Sequence, residues 1–391
     1  FAHEAILRHF SLRAIAPIFV ASISASAFSE FFYGPSPNII NLSQVVPPLD
    51  NIFPMLIALG PIFAIIAVIF MYSLRMASTF AAKSGRYRPL LPFFAAVTCG
   101  SVGVVFPEIL GLGIETINEL IGGNISFGKI GALLIAKISM TALCIGFGLF
   151  GGVFSPALFI GVAAGSLAAT AVSFLGYAGT EQVIIIAGMA AVSASVIGAP
   201  ITSVLIILEL TGSYDYAVAA MLAVIISNLV TYRIFGLSFF DRQLLDRGID
   251  MRLGRESIAL SQRLVTTCVG SSYVELGSKV TGDEALNLMK EAGMVESYVV
   301  DKSGNYIGKL DIFGAISASS NNVLDFLTIK PITLYENESL QTAMKKTVDF
   351  VGEGIPILSA NKKYLKAVVS EGSIFQAVID VQDTVSKIAR V

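Results

Sequence analysis

A run of 43 consecutive uncharged residues, 138–180, lies near the middle of this 391-residue chain. It is about twice as long as the ~20 apolar residues that a membrane-spanning helix needs. Its middle is interrupted by helix-breaking residues, namely Gly146, Gly148, Gly151, Gly152 and Pro156. In a membrane, a broken helix is tolerated where its backbone is buried in protein or lines a cavity. The interruption therefore predicts a functional site inside a membrane domain.

Charged residues are unevenly distributed along the chain. They make up 23 of the first 250 residues but 31 of the last 141, whereas roughly a quarter is usual in a soluble domain. The first part predicts about eight to ten membrane segments, and the second part is typical of a soluble domain. The net charge of −2, without a long basic run, gives no support to nucleic-acid binding. No nucleophile–base pair or metal-ligand cluster is visible, so neither an enzyme nor a metal site is expected.

Basic residues indicate the orientation in the membrane. Arg75, Lys83, Arg86 and Arg88 lie in one connection, whereas the segment 31–50 contains none. The positive-inside rule places that connection in the cytoplasm. Further arginines follow the last apolar run, so the polar C-terminal part is also expected in the cytoplasm. We therefore expect a multi-pass integral membrane protein whose C-terminal part lies in the cytoplasm.

The C-terminal part contains an internal repeat of roughly 60 residues. Helical EALNLMKEAGM precedes the strand–turn–strand segment YVVDKSGNYIGKL, and helical SLQTAMKKTVDF precedes IPILSANKKYLKAVVS in the same way. The predicted organisation is a membrane domain at 1–250, a charged linker at 251–262, and two α/β units at 263–322 and 323–391.

The sharpest local pattern is GGVFSPALFIG, residues 151–161. Its two glycines let the backbone turn sharply and approach a ligand closely, and Pro156 suits the first turn of a helix. The pattern predicts a helix from Phe154 to Val172 whose free amides bind an anion at mid-membrane depth. Partial charges hold an anion weakly enough to release it. A glycine-rich packing kink is the alternative, because glycine is common in membrane helices.

This motif and four further segments resemble the CLC family of chloride channels and chloride/proton antiporters. GGVFSPALFIG is similar to the family signature GGxFxPxLxxG. In the family's order, matching segments are FAHEAILRHF at 1–10, PEILGLGIET at 107–116, GAPITSVLIILELTGSY at 198–214 and SFFDRQLLDRG at 238–248. The resemblance implies a helical fold of two inverted halves, a homodimer, and chloride as the transported ion.

The resemblance also implies the anion contacts. These are Gly151, Gly152, Val153 and Phe154, with the backbone N–H groups of Val153 and Phe154 facing the central chloride. Phe240 falls where many members have a tyrosine whose hydroxyl contacts that ion. A phenylalanine cannot donate this hydrogen bond, and a membrane-core aromatic is the alternative interpretation of Phe240.

Glu4 matches the glutamate of the family's F-x-x-E helix and is the candidate for a proton path. In many antiporters a second acidic residue follows it, where this chain has Ala5. Alanine cannot carry a proton. The sequence therefore leaves a channel and an antiporter both open, and it leaves a purely structural role open for Glu4.

The matched segments cover the end of the first half of the family fold and all of the second half. The first two anion-binding motifs of the family, one of which carries the gating glutamate, are absent from the sequence. The chain also starts at Phe1 rather than at methionine. We therefore expect a chain that is incomplete at its N-terminus.

The C-terminal repeat resembles a pair of cystathionine-β-synthase (CBS) domains, which are commonly attached to this family. Such pairs often bind adenine nucleotides through an aspartate at the start of the last helix, where this chain has Gly314 and Ser373. The hydroxyl position before it is Asp311 in the first unit and Ser370 in the second. These departures favour a regulatory module for packing and dimerisation over nucleotide binding at Asp311 and Ser370.

Two other function classes fit a membrane domain with a CBS pair. A CBS-gated divalent cation transporter predicts acidic ligands inside the membrane, which the uncharged block around Gly152 argues against. A non-transporting anchor for a sensor domain would not need a helix that is broken at mid-span. The sequence therefore predicts chloride transport without a cofactor.

Overall fold

The chain forms two compact units, 1–246 and 247–391. The computed structural model describes residues 4–5, 12–34, 40, 42, 46–177, 179–246, 248–250, 253–268, 270–361 and 363–390. In these residues the first unit is helical, and the second contains two small sheets with helices. A multi-pass helical domain followed by an α/β part is the predicted architecture, and it is confirmed.

The first unit contains ten α-helices among the described residues. They are α1 (Leu12–Tyr33), α2 (Leu49–Lys83), α3 (Leu91–Val105), α4 (Ile114–Ile121), α5 (Phe127–Gly146), α6 (Phe154–Phe174), α7 (Glu181–Ile197), α8 (Pro200–Thr211), α9 (Tyr214–Ile234) and α10 (Phe239–Asp246). Six helical stretches are long and apolar enough to cross a membrane, and α7 and α8 are shorter apolar helices. Together, these eight stretches of the described residues match the lower end of the predicted eight to ten membrane segments.

Helix α7 lies at the centre of the first unit, with almost every side chain buried. It packs closely on α6 because both helices carry glycine at the contact. A Cβ at Gly165 would lie 2.6 Å from the Cα of Ile185, and one at Gly161 would lie 2.6 Å from the carbonyl oxygen of Gly188. Helix α6 is therefore held by direct contact between backbones, as is common where small residues line a membrane-helix interface.

Helix α1 carries large apolar side chains that are exposed throughout. Phe28, Phe31 and Tyr33 are the most exposed of them. Exposed apolar surface of this extent marks contact with lipid or with another protein chain.

The second unit repeats one β–α–β–β–α arrangement. The first repeat consists of β1 (Val274–Gly277), α12 (Gly282–Ala292), β2 (Glu296–Val300), β3 (Tyr306–Asp311) and α13 (Ile312–Ala318). The second consists of β4 (Leu334–Tyr335), α14 (Leu340–Lys346), β5 (Ile355–Leu358), β6 (Leu365–Val369) and α15 (Glu371–Arg390). In each sheet the first strand is parallel to the second, and the second is antiparallel to the third. The predicted internal repeat is confirmed.

The predicted linker 251–262 contains a helix of its own, α11 (Gly254–Gln262). Leu260 of this helix and the following Val265 are buried in the core of the second repeat. Leu264 also pairs with Ser339 at the start of α14. The segment before the first repeat is thus part of the second repeat's core, and the domain boundaries themselves stay a prediction.

A buried ion pair joins the two repeats. The Nζ of Lys309 lies 2.6 Å from the Oε1 of Glu296. The N–H of Gly354, from the loop before β5, donates to Oε2 of Glu296 at 2.9 Å. Lys309 donates to the Gly354 carbonyl oxygen at 3.2 Å. Burial raises the pKa of the neighbouring Tyr298 phenol, so Tyr298 stays protonated beside this pair.

Candidate anion site

Helix α6 begins at Phe154, as predicted, and its first amides have no partner among the described residues. Val153 is the residue before the helix, and no side chain caps it. The Ala157 N–H donates to the Val153 carbonyl oxygen at 3.0 Å, and Pro156 has no N–H. The N–H groups of Phe154 and Ser155 therefore remain free in the described part of the chain, as is general for the start of a helix. Such a helix start attracts an anion.

The two glycines before α6 lie in open space. A Cβ at Gly152 would meet no atom within 4 Å, and one at Gly151 would meet only Ile145, at 3.9 Å. Val153 is buried, with 4% of its surface exposed, whereas both glycines are exposed. Packing within the described residues does not account for this glycine pair. An open pair lets another group approach the backbone closely.

A loop at residues 109–113 supports the first turns of α6. The hydroxyl of Ser155 donates to the carbonyl oxygen of Leu112 at 3.2 Å. Gly113 has a φ of +73°, and a Cβ there would lie 2.7 Å from the Phe159 ring. Glycine is therefore required at Gly113 both by conformation and by contact.

Lys137 of α5 lies buried behind this loop. Only 3% of its surface is exposed, and its Nζ donates to the carbonyl oxygens of Ile109 at 2.7 Å and Gly111 at 3.2 Å. The Nζ also lies 4.8 Å from the centre of the Phe159 ring. None of the sequence motifs described above contains Lys137. The signal that could have found it is an ionisable residue inside an otherwise apolar membrane helix.

Phe240, the second predicted contact, lies in the first turn of α10. Its ring packs edge-on against Phe239 at 5.6 Å between centroids, and it joins the same apolar core as Val153. Helix α10 starts next to the end of α7. Gly198, which follows α7 with a φ of +76°, allows this close approach, because a Cβ there would overlap the side chain of Ser238. The two parts of the predicted site, the start of α6 and the start of α10, thus both lie beside the apolar core that contains α7.

The carboxylate of Glu4 lies at the start of α8. It accepts hydrogen bonds from the N–H groups of Ile201 and Thr202, both at 2.8 Å, and from the Thr202 hydroxyl at 2.7 Å. A carboxylate at a helix N-terminus satisfies free amides and the helix dipole together. This geometry gives Glu4 a structural role, and its part in a proton path stays a prediction.

Asp311 and Ser370, the predicted nucleotide contacts, occupy equivalent places in the two repeats. Asp311 accepts a hydrogen bond from the Gly314 N–H at 2.7 Å and caps α13. Ser370 accepts one from the Ser373 N–H at 3.1 Å at the start of α15. Both side chains therefore serve as helix caps.

The comparisons with known proteins identify the first unit. Residues 1–232, more than half of the chain, match the family described as voltage gated chloride channel. The chain belongs to the voltage-gated chloride channel family. The H(+)/Cl(−) exchange transporter ClcA of Vibrio vulnificus (strain YJ016) is 29% identical over 250 residues, which cover 61% of this chain and 52% of that relative. The chain thus spans about half the length of the curated relatives it matches.

Solved structures bear on the fold. A eukaryotic CLC transporter superposes with a TM-score of 0.53 at 17% identity, covering 95% of this chain and 65% of that one. The first unit therefore has the CLC fold, as the resemblance implied. A CBS domain pair/ACT domain protein of Thermotoga maritima matches 30% of this chain and 97% of its own length, at 18% identity and a TM-score of 0.28. Because this TM-score is below 0.5, the description of the two α/β repeats depends on their own strand topology alone.

Proposed function

We propose that the complete protein transports chloride across a membrane. The observation that supports this function best is the open start of α6, where the N–H groups of Phe154 and Ser155 have no acceptor among the described residues. Family membership supports the same function, since the matched relative is named an H(+)/Cl(−) exchange transporter. Chloride is the proposed cargo, and the proposed mechanism needs no cofactor.

The proposed site works through partial charges. In the proposed site an ion approaches along the exposed backbone of Gly151 and Gly152. It binds the free N–H groups of Phe154 and Ser155, together with the Val153 N–H that the family resemblance implies, where the positive end of the α6 dipole stabilises it. Because no charged side chain among the described residues caps the start of α6, we expect binding there to be weak enough for fast release. Phe240 borders the path and contributes apolar surface without a hydroxyl.

We expect the proposed assembly to be a homodimer in the bacterial inner membrane. The exposed apolar side chains of α1 supply a surface that suits lipid or a second copy. The basic residues predicted in one connection lie partly in α2, which contains Arg75 and Lys83, and partly in the turn after it, which contains Arg86 and Arg88. They support a cytoplasmic position for that end of the unit and for the α/β repeats. We propose that the α/β pair is a regulatory CBS module, in which Asp311 and Ser370 act as caps and do not hold a nucleotide.

A divalent cation transporter is the competing function. The described residues contain no cluster of three or more His, Cys, Asp or Glu side chains that could hold a metal ion. The buried ammonium of Lys137 also lies behind the candidate site, where it would repel a cation. Family membership and the sign of this charge both favour an anion.

The test is chloride efflux from liposomes that contain the purified product of the complete gene. We expect Gly152→Leu to lower the flux at least tenfold, because its side chain would occupy the open space before α6. Gly128→Leu is the matched control, since a Cβ at Gly128 also meets nothing within 4 Å but lies at the start of α5. Absence of chloride flux in the wild-type protein would refute the proposal.

The same liposomes test proton coupling. Ala5 cannot carry a proton, and the carboxylate of Glu4 already accepts three hydrogen bonds. We therefore expect chloride flux without a stoichiometric proton counterflow, measured with a pH electrode during efflux. A fixed ratio of protons to chloride ions would contradict this expectation.

A further inference from the structure

Lys137 is a buried cation that lacks an anionic partner in the described part of the chain. Its hydrogen-bond acceptors are the neutral carbonyl groups of Ile109 and Gly111, and its ring contact is with Phe159. Lys129, two turns earlier in α5, forms an ion pair with Glu108 at 2.6 Å and is 46% exposed. A charge that is withdrawn from water and not paired keeps a strong field in its apolar surroundings.

The ammonium lies close behind the candidate anion site. Phe159, which it contacts, is five residues into α6, so Phe154 lies about 7.5 Å further along the helix axis. The ammonium is therefore on the order of 10 Å from the free amides at the start of α6. Its charge has the same sign as that end of the helix dipole, so the two fields add for an anion.

Lys137 also orients dipoles that would otherwise oppose an anion. The carbonyl oxygens of Ile109 and Gly111 accept hydrogen bonds from its Nζ, and the carbonyl oxygen of Leu112, the next residue in the loop, accepts one from the Ser155 hydroxyl. Three carbonyl oxygens of the loop next to α6 thus accept hydrogen bonds from Lys137 or Ser155.

We propose that Lys137 is an electrostatic positioning residue that sets the affinity of the α6 site for chloride. The inference rests on the proposed transport function and names a determinant of that same site. A unit charge about 10 Å away, at an effective dielectric constant of about 20, changes anion affinity roughly tenfold. This corresponds to about 1.4 kcal/mol.

The test measures chloride flux against chloride concentration, again with the complete gene product in liposomes. Lys137→Met removes charge and hydrogen bonds, Lys137→Gln removes the charge but keeps a donor, and Lys137→Arg keeps both. Lys129→Met removes an exposed, paired lysine from the same helix and is the matched control. We expect the two neutral variants to raise the apparent KM for chloride about tenfold with the maximal flux within about twofold. The Lys137→Arg and Lys129→Met variants should stay near the wild-type values.

Several results would overturn this inference. An unchanged KM in Lys137→Met and Lys137→Gln would remove the electrostatic role, and a loss confined to Lys137→Met would assign the effect to hydrogen bonding. Lys137 would have only a structural role if the neutral variants lowered the maximal flux at an unchanged KM. The same conclusion would follow if neither neutral variant eluted as folded protein in size-exclusion chromatography. A wild-type protein without chloride flux would refute the proposed function itself, and this inference would fall with it.

Discussion

Replacing Gly165 by alanine is predicted to disturb the contact that holds α6 in place. The added Cβ would lie 2.6 Å from the Cα and 2.8 Å from the carbonyl oxygen of Ile185, and 3.1 Å from the carbonyl oxygen of Ile184. All three are backbone atoms of α7, which cannot rotate away as a flexible side chain could. Helices α6 and α7 must therefore move apart, and the start of α6 must move with them.

The size of the effect follows from two opposing contributions. Overpacking of a well-packed interior costs about 1–3 kcal/mol, whereas alanine is favoured over glycine in a helix by about 1 kcal/mol. Gly131 of α5 provides the matched control, because a Cβ there meets nothing within 4 Å. Gly131→Ala therefore receives the favourable contribution alone. The difference between the two variants isolates a packing cost of about 1–3 kcal/mol.

The assay is the melting temperature of the detergent-solubilised protein, followed by the fraction that elutes as folded protein after heating. A domain of this size shifts by about 2–4 °C per kcal/mol. Gly165→Ala should therefore melt roughly 2–12 °C below Gly131→Ala, with a lower chloride flux in liposomes. If Gly165→Ala melts at or above the control, the close backbone contact between α6 and α7 does not exist as described.

Two further variants test contacts far apart in the sequence. Glu4→Gln weakens the cap of α8 and should lower stability by about 1 kcal/mol, while chloride flux continues without a stoichiometric proton counterflow, as expected for the wild type. A proton counterflow that is present in the wild type and lost in Glu4→Gln at an unchanged melting temperature would place Glu4 in a proton path instead. Glu296→Gln leaves Lys309 buried without its carboxylate, which costs about 3–5 kcal/mol, so hydrogen exchange should rise at the loop before β5. Glu338→Gln is its control, because Glu338 pairs with the partly exposed Lys346 and should change stability by about 0–1 kcal/mol. Wild-type exchange in Glu296→Gln would contradict the importance of the buried pair.

The start of α6 is predictable from sequence because its signals are local. Gly151, Gly152 and Pro156 lie within six residues, and they act through the conformation of their own backbone. The α/β repeat is predictable for a similar reason, since each hairpin and helix carries its own hydrophobic period. These elements lie where the sequence predicts them.

The partners of Lys137 and Glu4 are not predictable in this way. Lys137 reaches carbonyl groups 26 and 28 residues earlier in the chain, and Glu4 reaches amides about 200 residues later. Backbone acceptors and donors have no residue type, so no pattern of letters reveals these contacts. The pairing of Leu264 with Ser339, which places α11 in the second repeat's core, is hidden for the same reason.

Helices α6 and α8 use the preference of a helix N-terminus for negative charge in two different ways. Both begin with a proline in the first turn, and both present free amides at their starts, where a negative charge is favoured. At α8 the protein supplies that charge permanently through the carboxylate of Glu4. At α6 no described residue supplies it, and two glycines keep the approach open. The ammonium of Lys137, which has no anionic partner among those residues, further favours an anion there. In the proposed site an anion at α6 therefore binds and dissociates, as transport requires, whereas the Glu4 carboxylate remains in place as a helix cap.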